Sequence, residues 1–227
     1  MDTSLWMARD LLTVTPDTPV EDGAREMARR RVRHLLVVDG GDREHLLGIV
    51  SSHDLYLAAE SGMNPFSPRA QDRSGRTLGE IMTARPTTIA PTTPLAEAAR
   101  LLRDKKFGCL PVVDHGRLVG VLTEHDILRA FVRWTGAEDP GYEVTAVAAK
   151  DHDAFGDLVR LAGVRGLRLV SAASFAHDGR DLLVLHVAGK HDDSFVDALW
   201  RCGHTILRVR TTGAAPAQVA VAPTHVT

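Results

Sequence analysis

The chain has 227 residues, enough for two ordinary domains, and its 44% apolar content is ample for packed cores. A formal net charge of −2 gives no basic field to hold nucleic acid or an anionic membrane, and no apolar run approaches the ~18 residues that span a bilayer. Cys109 and Cys202 form neither a metal spacing nor a disulfide framework, so reduced thiols and a cytoplasmic setting are expected.

The first residues, Met1 to Trp6, lack a basic stretch followed by an apolar core, so no signal peptide is expected. Leu12-Thr13-Val14 reads as a short strand. Thr18-Pro19-Val20-Glu21 then suits a helix start, with Thr18 as cap and Pro19 preorganised for the first turn. Val20, Ala24, Met27 and Ala28 recur at helical spacing up to about Arg31. His34 to Asp39 and Leu46 to Val50 read as two strands of a hairpin, turned at Gly40-Gly41-Asp42. Ser51 opens a second helix. Residues 61–76 carry Gly, Asn, Pro and charges without a period and read as a linker.

The order then repeats. Thr87-Thr88-Ile89 is an expected strand, and Thr93-Pro94-Leu95 an expected helix start. Cys109 to Asp114 and Leu118 to Leu122 form the second hairpin, and Thr123 opens the closing helix. Met7 matches Met82, Pro19 matches Pro94 and Asp39 matches Asp114, each 75 residues apart. Gly48 and Gly120 are 72 apart, because the first hairpin turn is three residues longer. A constant offset broken only at a turn marks an internal duplication.

A third segment has another rhythm. Strand patterns at Val144–Ala148, Leu167–Ala172, Leu182–Val187 and Thr205–Val209 enclose helical patterns at Phe155–Ala162 and Ser194–Arg201. This βαββαβ order is the split ferredoxin-like arrangement. Residues 212–227 are mostly Ala, Val, Thr and Pro without a period, and a disordered tail is expected. The fold class is therefore α/β (α+β), with two β-α-β-β-α repeats at 5–60 and 77–135 forming one module, and a βαββαβ domain at 142–211.

The chemistry concentrates at two matched junctions, Gly48-Ile49-Val50-Ser51-Ser52-His53-Asp54 and Gly120-Val121-Leu122-Thr123-Glu124-His125-Asp126. Each Ser/Thr-x-x-Asp suits a capping box, in which hydroxyl and carboxylate satisfy free backbone donors at a helix start. The same geometry suits a small-molecule site. The carboxylate can accept from two vicinal ribose hydroxyls, and the helix N-terminus favours a phosphate. The two uses are compatible. His53 and His125 precede the acids, but no His-x-x-x-His or Cys/His cluster is present, so no metal site is expected. No Gly-x-Ser-x-Gly, Walker loop or dinucleotide fingerprint is present, and the chain is not expected to be an enzyme.

The apolar-apolar-Val-Val-Asp strands ending at Asp39 and Asp114, with the two Gly-apolar-apolar-Ser/Thr-x-x-Asp junctions, resemble a tandem pair of CBS (cystathionine β-synthase) domains over about residues 5–134. The element order after Glu143 and the run Val164 to Val170 resemble an ACT domain. Together they are similar to bacterial CBS–ACT proteins of the acetoin-utilisation type.

That resemblance implies a regulator with no required cofactor, binding AMP, ADP, ATP or S-adenosylmethionine between the repeats. Carried over, one site uses Thr88, Ile89, Leu110, Pro111, Thr123 and Asp126. The other uses Thr13, Val14, Leu35, Leu36, Ser51 and Asp54, with Leu36 where the second repeat has Pro111. Arg33, His34 and Lys106 are candidates to meet phosphates, Arg33 and His34 at the Asp126 site. The resemblance also implies a homodimer through the CBS modules and the ACT-like sheets, and an unspecified protein partner. Two alternatives remain: an amino-acid sensor acting through residues 142–211, and a ligand-free assembly module. Lys150-Asp151-His152-Asp153 lacks the glycine of the usual ACT ligand turn, which favours pairing over ligand binding there.

Overall fold

The duplicated apolar pattern folds twice in nearly the same way. The computed structural model describes residues 1–42, 45–60, 76–150 and 153–213. They belong to two compact units, Met1–Leu128 and Arg129–Thr227. Residues 61–75 of the expected linker, Asp151 and His152, and residues 214–227 of the expected tail lie outside the described residues.

In the first repeat a 3₁₀ turn at Thr3–Leu5 precedes β1 (Thr13–Val14), α1 (Val20–Arg30), β2 (His34–Val38), β3 (Leu46–Ser51) and α2 (Ser52–Glu60). In the second, α3 (Leu78–Ile81) and β4 (Thr83–Ala84) precede α4 (Leu95–Lys105), β5 (Cys109–Asp114), β6 (Arg117–Thr123) and α5 (Glu124–Thr135). β1 runs parallel to β2, with Thr13 opposite Leu36, and β2 and β3 form the antiparallel hairpin. The fourth strand of that sheet is β4, which places Ala84 opposite Gly48. The mirror of this exchange is seen at the other hairpin, where Ala8 bridges Val121 of β6 and Ile89 bridges Val112 of β5.

Each repeat therefore lends its leading segment to the hairpin of the other. The glycines that open the junctions exist for this crossing. A β-carbon on Gly48 would lie 2.5 Å from the sulfur of Met82, and one on Gly120 would lie 2.5 Å from the sulfur of Met7. The alternation of β2 sends Leu35 and Val37 to one core with Met27, Val50, Leu55 and Leu78. It sends Leu36 and Val38 to another, shared with Leu118 and Val121 of the second repeat.

Four expectations need correction. Thr18 does not cap α1: its hydroxyl accepts from the Thr15 amide at 3.2 Å, and Pro19 stands at the N-cap without a side-chain bond. Thr93 likewise closes the turn behind it, accepting from the Ala90 amide at 3.0 Å. A hydroxyl just before Pro reaches the turn three residues back more readily than the helix ahead. Residues 87–89 form no strand; only Ile89 pairs, through one bridge, because Pro86 and Pro91 cannot donate to a longer ladder. At the far end of the chain Thr212 is the last residue of a strand and not the start of a tail.

In the second unit β7 (Gly141–Val147), α6 (Ala154–Val164), β8 (Leu169–His177), β9 (Arg180–Ala188), α7 (Asp193–Arg201) and β10 (Thr205–Thr212) give an antiparallel sheet in the order β10-β7-β9-β8. This is the split ferredoxin-like order. Tyr142, Val144, Leu185 and Val187 from the sheet pack with Leu158, Phe195 and Leu199 from the helices. Asp153 caps α6 by accepting from the Gly156 amide at 3.0 Å, and Asp192 caps α7 by accepting from the Ser194 amide at 2.9 Å.

Candidate nucleotide pockets

Both expected capping boxes form. Asp54 Oδ2 accepts from the Ser51 amide and hydroxyl, each at 2.7 Å, while the Asp54 amide donates to Ser51 Oγ at 3.2 Å. Asp126 Oδ2 accepts from the Thr123 amide at 2.9 Å and its hydroxyl at 2.7 Å, and the Asp126 amide donates to Thr123 Oγ1 at 3.3 Å. Such a cap contributes about 1 kcal/mol to its helix. In each box the cap is made through one carboxylate oxygen, Oδ2.

Each box also faces a cavity within the first unit. The Asp54 cavity holds about 330 Å³ and is lined by Ser51, Ile49, Thr83, Arg85, Pro86, Thr87, Lys106, Phe107, Gly108, Cys109, Pro111 and His34. The Asp126 cavity holds about 460 Å³ and is lined by Thr123, His125, Val121, Ala8, Asp10, Leu12, Leu36, Gly108 and the run Arg31 to His34. Both sizes suit a small-molecule site, ~300–1,000 Å³. Each cavity takes its acid and hydroxyl from one repeat and its arginine and lysine cations, with Pro111 or Leu36, from the other.

Cations are held there by unusual backbone. Arg31 and Lys106, equivalent residues at the C-caps of α1 and α4, adopt left-handed conformations with φ of 54° and 55°. Arg85 does so too, with φ of 50°. Among the described residues the other non-glycine positions with positive φ, His115 and Asp178, lie in hairpin turns. A left-handed L-residue costs about 1–2 kcal/mol, so glycine is the favoured choice at such a C-cap. A cation stands at all three positions and lines a cavity, which links the strain to the site.

His34 lines both cavities. Its ring lies over Gly108, where a β-carbon would come within 2.7 Å of Cε1 and Nε2. Burial pushes the pKa of His34 below its ordinary value of 6.5, with help from Arg33; Asp54 and Glu124 act in the opposite direction. Cys109, its equivalent in the second repeat, is buried, and burial pushes its thiol up to about 12, so it is a packed wall and not a nucleophile.

The expected residues regroup. Thr123 and Asp126 meet Leu36, Arg33 and His34, while Ser51 and Asp54 meet Pro111, Lys106 and His34. Leu36 and Pro111 thus exchange sites relative to the expectation, because each strand faces the other repeat's cap. Leu35 and Leu110 are fully buried in the core, and neither they nor Thr13, Val14, Thr88 and Ile89 line either cavity. Arg85, Phe107, Gly108 and Asp10 were not expected; the 75-residue offset pairs Asp10 with Arg85 and would have flagged them together. Among the described residues no group of three or more His, Cys, Asp or Glu is placed to hold a metal, and no helix is long and apolar enough to cross a membrane.

Comparison with known proteins agrees with the duplicated architecture. The chain is 34% identical over 133 residues to a CBS domain-containing protein of Dictyostelium discoideum, covering 56% of this chain and 88% of that protein. It is 33% identical over 142 residues to the chloroplastic protein CBSX2 of Arabidopsis thaliana, covering 54% of this chain and 59% of that one. A crystal structure of CBSX2 in complex with AMP covers 58% of this chain and 96% of its own, with a TM-score of 0.49. A Vibrio cholerae protein assigned to acetoin utilization, AcuB, superposes with a TM-score of 0.50 at 31% identity, covering 58% of this chain and 90% of that one. The CBS domain family model matches residues 3–61 and 78–133, one match on each repeat, and the chain belongs to that family.

Proposed function

We propose that the chain is a non-catalytic regulator that binds an adenine nucleotide, or a related adenosyl ligand, in the two cavities of its CBS pair. The carrying observation is the matched placement of Ser51/Asp54 and Thr123/Asp126, each a helix cap that also forms a cavity wall. Asp54 and Asp126 take the ribose hydroxyls, apolar walls including Pro111 and Leu36 take the base, and the helix N-termini with Lys106, Arg85, Arg31 and Arg33 take the phosphates. Such binding regulates by favouring one of two conformations of the pair. In this proposal the module acts as a homodimer: Tyr56 and Leu57 of α2 and Leu128 of α5 stand exposed, apolar surface suited to a second copy. The second unit is an ACT-like pairing element, with Phe175 and Leu207 exposed on its edge strands.

CBSX2 has been crystallised with AMP, so AMP is the first ligand to test, followed by ADP, ATP and S-adenosylmethionine. Calorimetry on the full chain is expected to show binding, with Asp126→Asn and Asp54→Asn each weakening one site while keeping an acceptor for the cap. Absence of heat with all four ligands, together with an unchanged melting temperature at saturating concentrations, sinks the proposal, since a ligand of the native state raises stability.

A further inference from the structure

Among the described residues His34 and Gly108 line both cavities, and of the two only His34 can titrate. It stands at the start of β2, and its ring lies over Gly108, so it is a wall of the Asp54 cavity and of the Asp126 cavity at once. Its equivalent by the 75-residue offset is Cys109, which lines only one cavity. We propose that His34 couples the two nucleotide pockets, a phosphate in either one drawing a proton onto the ring that then favours a phosphate in the other. This rests on the nucleotide proposal above and adds a rule for how two bound ligands influence each other.

The surrounding charges allow it. Arg33 precedes the ring and opposes its protonation, while Asp54 on α2 and Glu124 on α5 favour it. Arg31 and Lys106, at the ends of α1 and α4, supply fixed positive charge to the Asp126 and Asp54 cavities respectively. The ring is therefore neutral in the free protein at neutral pH and responds to an added anion. Each pocket can recruit that proton, but only one proton is available, which makes the two pockets partners through a single group. The coupling is positive above the free ring's midpoint. It vanishes below that midpoint, where the ring is already charged. The effect of either pocket on the other is equal by linkage.

The test uses the full chain, free and with AMP. NMR titration of the His34 ring is expected to show its proton affinity raised about tenfold by AMP, a shift of about one pH unit. Adenosine, which lacks the phosphate, is expected to bind without that shift. Calorimetry in buffers of different ionisation enthalpy is expected to show wild type taking up at most one proton more than His34→Gln, even with both pockets filled; this difference removes protons exchanged by the phosphate itself. About one pH unit above the free ring's midpoint, read from the same titration, the first AMP is expected to strengthen the second about threefold, and about a pH unit or more below that midpoint to leave it unchanged. Gly108→Ala, which displaces the ring, is expected to lower the coupling without removing the histidine. AMP bound with no change in the ring's midpoint, or coupling equal in wild type and His34→Gln, overturns this inference alone. Failure of AMP to bind overturns it together with the nucleotide proposal.

Discussion

Met7 lies over Gly120 so closely that a β-carbon there would sit 2.5 Å from its sulfur and 3.2 Å from the Ala8 carbonyl oxygen. Met82 and the Thr83 carbonyl oxygen stand in the same relation to Gly48, the latter at 3.0 Å. A thioether can swing away, but a bridged backbone carbonyl cannot do so without loosening the segment exchange. Gly120→Ala and Gly48→Ala are each expected to lower stability by about 1–3 kcal/mol, measured by urea unfolding. Met7→Ala in the Gly120→Ala background is expected to recover part of the loss, because it clears the sulfur from the added methyl.

The left-handed cations predict a trade between stability and binding. Lys106→Gly relieves a φ of 55° at the end of α4 and is expected to stabilise the protein by about 1 kcal/mol. The same change removes a cation from the Asp54 cavity and is expected to weaken AMP there several-fold. Arg31→Gly is expected to behave alike at the Asp126 cavity. A melting curve and a binding isotherm on each variant check both halves; weaker binding with lower stability would contradict the strain argument.

The two boxes differ in solvent access. Asp126 is buried at 5% exposure, whereas Asp54 is only half-buried. Losing Asp126 to Ala leaves the half-buried Thr123 amide and hydroxyl without their carboxylate. It is expected to cost about 1–3 kcal/mol, more than Asp54→Ala, where water replaces part of what is lost. Chemical unfolding of the two variants side by side measures the difference.

The pH dependence of the free protein has a definite sign at His34. Its folded pKa lies below the ordinary 6.5, so between the two values the unfolded chain holds more protons than the folded one. The stability it contributes is present above 6.5 and is lost as pH falls through the folded midpoint. Unfolding midpoints at about pH 7.5 and about pH 5.5 are expected to differ more in wild type than in His34→Gln. Equal slopes would contradict it.

The local elements were legible in the sequence because periodicity and capping chemistry act over a few residues. The hairpins, the two boxes, the duplication and the ferredoxin-like order all follow from such patterns. The partnership of Leu36 with Asp126 and of Pro111 with Asp54 was not legible. Equivalent residues in a duplicated chain carry equivalent spacing, so nothing local distinguishes a strand that serves its own cap from one that serves the other. Residues 87–89 misled for a related reason: their β-branched character suits a strand, but Pro86 and Pro91 leave room for one pairing only. The cations Arg31 and Lys106 look like ordinary helix-end charges until their positive φ is seen.

The crossing of leading segments has a consequence for how such a chain diverges after duplication. A substitution of one copy's cations, or of its Leu36 or Pro111, is expressed in the ligand site whose acid belongs to the other copy. Neither copy is free to drift alone, and neither can be shed without taking half of both pockets with it. The unit that selection acts on is the interlocked pair, even though the unit that was copied was the single repeat.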